Sequence, residues 1–133
     1  MAKSTGFHLG VKFPHEGFVQ ASVETYFARL GYSREAGSHA DLVCVQPQTG
    51  ERWLVEAKRV TSDVGLDFRT GLGQLAQRMA DPDTKYALAV PDVRAFIAQC
   101  RQVSSWLRQA LHLHWIIVTS EGSVRLVAPN QEL

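Results

Sequence analysis

Two short apolar runs, separated by a cluster of turn residues, constrain this chain more than any other feature. The stretch ADLVCVQPQTGERWLVEAKR occupies residues 40–59. Leu42, Val43, Cys44 and Val45 make the first run, and Trp53, Leu54 and Val55 centre the second. Both are of strand length and carry residues that suit strands. Pro47, Thr49 and Gly50 lie between them, in a gap of hairpin-loop length. The expected unit is an antiparallel hairpin. Asp41 opens its first strand and Glu56 ends the second, so a hairpin brings both carboxylates to one end. Side chains alternate along a strand, which puts Leu54, Glu56 and Lys58 on one face and Trp53, Val55 and Ala57 on the other. Two carboxylates and an ammonium then converge, a set that suits a hard divalent cation beside a phosphate. The same residues also suit an exposed strand end, where Glu56 and Lys58 form a same-face pair worth only ~0.2–1 kcal/mol.

The rest of the chain supplies elements to pack on this hairpin. Residues 16–30 read as a helix, with Phe18, Val19, Ser22, Val23, Tyr26, Phe27 and Leu30 at helical spacing and Gly31 as the stop. Its acids, Glu16 and Glu24, are either solvated or reach the cation from the side. Residues 32–36 suit a short edge strand. A bend at Gly37-Ser38-His39 leads to Asp41, where Ser38 and His39 serve as turn residues or touch a substrate phosphate. A polar connection over 60–67, with a turn at Ser62 and Asp63, precedes a second helix over 68–79. Leu72, Leu75, Ala76 and Met79 form its buried stripe. Gly71 and Gly73 fall near its start, where glycine permits close approach of backbone to sheet or phosphate. Gln74 lies off the stripe, and Arg69 and Arg78 add positive charge.

Residues 85–90 make a buried strand ending at Pro91. A long helix over 92–113 follows, divided at Ser104-Ser105, with Phe96, Cys100, Trp106 and Leu107 in its apolar set. Strands over 114–119 and 123–127 complete the chain. Strand–helix–strand steps imply parallel neighbours with right-handed crossovers. The fold class is therefore α/β, a mixed sheet flanked by helices.

At 133 residues the chain is read as an irregular segment over 1–15 and one domain over 16–133. A net charge of +1 neither announces a nucleic-acid binder nor excludes one, since a local basic patch matters more than the sum. Cys44 and Cys100 read as buried reduced thiols, and no Cys/His spacing resembles a zinc site. His112 and His114 have no acidic or cysteine partner beside them in sequence. No apolar run approaches the ~20 residues of a membrane span. A cytoplasmic protein is expected.

The segments Gly31-Tyr32, Ala36-Gly37-Ser38, Asp41-Leu42-Val43 and Glu56-Ala57-Lys58, in this order, resemble the PD-(D/E)XK, or restriction-endonuclease-like, nuclease superfamily. The look is nearest to its archaeal Holliday-junction-resolvase and Mrr-like branches. The resemblance runs from about residue 16 to 127, because the order of elements also fits the αβββαβ core, with an extra C-terminal helix and strands. It implies an endonuclease that hydrolyses DNA with Mg²⁺, or Mn²⁺ as substitute. By the same resemblance, Asp41, Glu56 and the backbone carbonyl of Ala57 are the metal ligands, Lys58 is the catalytic lysine, and Gln74 is the glutamine that some branches add. Ser38, His39, Arg59 and Arg69 are the expected substrate contacts.

Two positions depart from the pattern. Ala40 stands where a proline precedes the acid, and Gln20 stands where the resolvases carry a first-helix glutamate. The third acid is thus Glu16, Glu24 or none. Cutting both strands of a duplex usually takes two sites, so a two-fold homodimer is expected, with DNA as partner and neither a membrane nor an organic cofactor. The alternative is a nuclease-fold module that binds nucleic acid or a partner protein without cutting. The near-neutral charge and Gln20 speak for it.

Overall fold

In chain order the elements are α1 (Glu16–Arg29), β1 (Ser33–Arg34), β2 (Leu42–Val45), β3 (Arg52–Ala57), α2 (Val64–Gln77), β4 (Lys85–Pro91), α3 (Arg94–Arg101), α4 (Ser105–Leu111), β5 (Leu113–Val118) and β6 (Val124–Val127). They are taken from a computed structural model that describes residues 12–36, 40–58 and 63–133. The expected hairpin is β2–β3, antiparallel, with Leu42 opposite Val55 and Val43 opposite Leu54. Among the described residues six strands form one sheet in the order β1-β2-β3-β4-β5-β6. Pairs β3–β4 and β4–β5 are parallel, and the outer pairs are antiparallel.

Alternation along the strands divides the core in two. Leu42, Cys44, Trp53, Val55 and Ala57 pack with Val19, Val23 and Phe27 of α1 on one face. Val43 and Leu54 pack with Phe68 and Leu75 of α2 and Phe96 of α3 on the other. Each fully buried aliphatic side chain contributes about 1.5–3 kcal/mol. β3 and β4 are the middle strands, and on β4 and β5 Leu88, Trp115 and Ile117 are fully buried on the α2 face and Ala87, Ala89 and Ile116 on the α1 face. Cys44 and Cys100 are buried and free, and burial pushes both thiols up to about 12. Gly31 ends α1 at φ +87°, a conformation that costs other residues about 1–2 kcal/mol.

The structure corrects several sequence expectations. α2 begins at Val64, not at residue 68, because Asp63 caps it: its carboxylate accepts from the Leu66 amide at 3.0 Å. An Asp that suits a turn suits an N-cap equally well, and the cap contributes about 1 kcal/mol. Gly71, Gly73 and Gln74 therefore sit well inside the helix, not near its start. The division expected at Ser104-Ser105 is there: α3 ends at Arg101, and Ser104 caps α4 through the Leu107 amide. It ends at Leu111, since His112 adopts the left-handed conformation (φ +55°) and Leu113 begins β5. Trp106 is 76% exposed, whereas Arg108 is buried. Arg108 donates to the carbonyls of Ala128 and Gln131 and lies over the Trp115 ring, so a basic side chain fills a place that an apolar count assigns elsewhere. Leu30 and Ala76 are exposed rather than part of a buried stripe. The bend at 37–39, with Ser38 and His39, lies outside the described residues, as do Arg59 and the first 11 positions.

Candidate functional site

The register of the hairpin builds the site. Leu42 faces Val55, so one residue further along each strand Asp41 faces Glu56. The contact is direct at the backbone: Asp41 Oδ2 accepts from the Ala57 amide at 2.8 Å. The carbonyl of Asp41 is held by Gln20 of α1 at 3.2 Å and by Arg34 of β1 at 3.4 Å. The first-helix position where a glutamate was expected thus orients the aspartate instead.

Glu56 is 3% exposed. Burial pushes its carboxyl up to about 7, and the charge of Asp41 pushes the same way. Arg78 and Lys58 pull it back, and Glu16 adds a further upward push. Arg78 Nη1 donates to both Glu56 oxygens, at 2.9 and 3.2 Å. Burying a carboxylate beside a second one disfavours charge, and the two nearby cations offset this only in part.

Lys58 follows β3, and its amide donates to the Ala89 carbonyl at 3.0 Å. The side chain runs under α2 at Gly71, where a Cβ would lie 2.3 Å from Lys58 Cδ and 2.5 Å from Cγ. Only glycine leaves room for that stem. Among the described residues the Lys58 ammonium forms no ion pair within 4.0 Å, although the residue is only 9% exposed.

Gln74 has an exposed side chain, and its carbonyl accepts from Arg78 at 3.4 Å. Arg78, the C-cap of α2, lies four residues on, and its side chain reaches Glu56. Sequence reasoning noted Arg78 only as nearby charge, and its contact with a residue 22 positions away left no local signal to find it by. Arg69 is exposed, with its guanidinium beside Gly65 and the Gln99 side chain of α3. Of the two α1 acids, Glu24 pairs with Arg34 at 2.8 Å, while the charge of Glu16 acts on Glu56.

No known protein family and no curated protein matches the chain. Among solved structures it is similar to an XisH family protein from Nostoc punctiforme. The TM-score is 0.57 and the identity 18%, over 82% of this chain and 98% of that one. At that identity the likeness shows the fold: a mixed six-stranded sheet with four helices, consistent with a restriction-endonuclease-like core.

A divalent cation is tested by the donor set itself. Asp41 and Glu56 lie at the ends of neighbouring strands on one face, and burial together with the charge of Asp41 disfavours a bare negative charge on Glu56, which a cation would relieve. Mg²⁺ commonly takes one or two carboxylates and completes its octahedron with water, so these residues fit it. Among the described residues no group of three or more His, Cys, Asp or Glu is placed to hold an ion. The protein ligands would therefore be two carboxylates, with the Ala57 carbonyl as the further one that the resemblance implies.

Proposed function

We propose that the protein is a Mg²⁺-dependent endonuclease acting on DNA phosphodiesters. The carrying observation is the convergence of Asp41 on the Glu56-Ala57-Lys58 segment, joined by the 2.8 Å bond from the Ala57 amide. When bound, Mg²⁺ supplies Lewis acidity toward the phosphate and lowers the pKa of a water. Asp41 and Glu56 would hold it. Lys58 sets its ammonium against the negative charge that develops on the phosphate oxygens, and Gly71 keeps its stem in place. Gln74, exposed one helical turn from Arg78, would be the residue that hydrogen-bonds a phosphate oxygen or the attacking water, as the resemblance implies. The test is cleavage of plasmid and branched DNA with Mg²⁺ or Mn²⁺. Wild type cuts and Lys58→Ala does not; equal background from the two overturns the reading.

A second reading is a nuclease-fold module that binds nucleic acid or a partner protein without cutting. The Arg78–Glu56 pair favours it, since a guanidinium already neutralises one of the two carboxylates. Under this reading calorimetry detects no Mn²⁺ bound at Asp41 and Glu56.

A further inference from the structure

We propose that Arg78 is an internal competitor for the cation site: it holds Glu56 in the metal-free protein, and a divalent ion binds by displacing it. The inference rests on the metal-site reading above and adds what controls occupancy. Arg78 Nη1 donates to both Glu56 oxygens, at 2.9 and 3.2 Å, so neither oxygen is free of the guanidinium. The residue is the C-cap of α2, its amide held by the Leu75 carbonyl at 3.0 Å, and its side chain is 29% exposed against 4% for Glu56. The guanidinium can swing into solvent without opening the core. Lys58 has no such freedom, because its stem is confined at Gly71. The two cations at this site therefore differ in kind. Lys58 is fixed by packing, while among the described residues the Arg78 side chain is tethered by the ion pair and by a 3.4 Å bond to the Gln74 carbonyl.

A guanidinium and a divalent ion cannot share one carboxylate edge without strong like-charge repulsion in a partly buried setting. Removing Arg78 should accordingly tighten binding. The test titrates the full chain with Mn²⁺ alone, without DNA, by calorimetry or by electron paramagnetic resonance, in mildly alkaline buffer. Thermal melting serves as the check of folding. Arg78→Ala should bind Mn²⁺ roughly tenfold more tightly than wild type, the order expected for removing one nearby charge. Arg78→Gln, which keeps a polar side chain at the helix end, should do the same and carries the test if the alanine variant does not fold. Arg125→Ala removes an equal charge from exposed β6 and should leave affinity unchanged. Equal or weaker binding by both Arg78 variants, with wild type binding Mn²⁺, overturns the competitor and leaves the metal site standing. If neither wild type nor either variant binds, the metal-site reading falls and the competitor falls with it.

Discussion

A glutamate stands at each end of β3, and each has a basic side chain 2.9 Å away: Lys85 beside Glu51, and Arg78 beside Glu56. Their electrostatics are nevertheless opposite. Glu51 also accepts from the Tyr32 hydroxyl and from Trp53 Nε1. The Tyr32 hydrogen bond, then that of Lys85, holds its carboxyl down to about 2. Glu56 has Arg78 as its donor, is buried, and faces Asp41, and its carboxyl is pushed up to about 7. An ion pair of given length therefore says little about a carboxylate. Solvent access, the number of donors and a second negative charge decide. At the turn end of the hairpin the chain completes a network that rewards folding. At the open end it gathers charge that folding does not reward, which is where function is expected to reside.

The largest expected effect comes from neutralising each glutamate in turn. Glu56→Gln and Lys58→Ala should each lower Mg²⁺-dependent plasmid cleavage by roughly 10²–10³-fold, the scale for losing a group that meets transition-state charge. Glu51→Gln should leave the cleavage rate unchanged, because Glu51 lies at the other end of the strand. The contrast breaks if the two glutamine variants lose activity together.

Much of this contrast was legible in the residues. The antiparallel hairpin and the shared end of Asp41 and Glu56 follow from two strand-length runs and one turn cluster, and the structure has them. The face assignment held too, with Leu54 on the α2 side and Trp53, Val55 and Ala57 on the α1 side. What failed depended on partners remote in sequence. Asp63 as cap or turn is settled only by where the Leu66 amide points. Trp106 counts as core by periodicity, yet α4 is too short to turn every apolar side chain inward, and Arg108 takes the buried place. The reach of Arg78 to Glu56 spans 22 positions, and no local pattern encodes it.

A smaller effect separates two glycines of α2. At Gly71 an added Cβ meets the middle of the Lys58 stem, so Gly71→Ala must displace that lysine or the helix. The expected loss is about 1–3 kcal/mol of stability, reduced by up to ~1 kcal/mol of helix propensity, and cleavage should fall with it. At Gly73 a Cβ meets nothing within 4 Å. Gly73→Ala should therefore raise stability by up to ~1 kcal/mol and leave cleavage alone. Chemical denaturation and the plasmid assay read both. Equal behaviour of the two variants means that α2 does not hold Lys58.

The smallest effect sharpens the turn end. The Glu51 carboxyl is depressed from 4.5 to about 2, so the folded state binds its proton less tightly than the unfolded chain does. By linkage, this contribution is fully present above pH 4.5 and is lost as the pH falls toward 2. The side chain is 33% exposed, so solvent screening leaves on the order of 1 kcal/mol of it. Urea titrations across the acid range should show wild type losing that increment, while Glu51→Gln starts lower at neutral pH and loses correspondingly less on acidification. Parallel acid limbs for the two proteins would mean that Tyr32, Trp53 and Lys85 hold Glu51 no better than water does, and the distinction between the two ends of β3 would then rest on Glu56 alone.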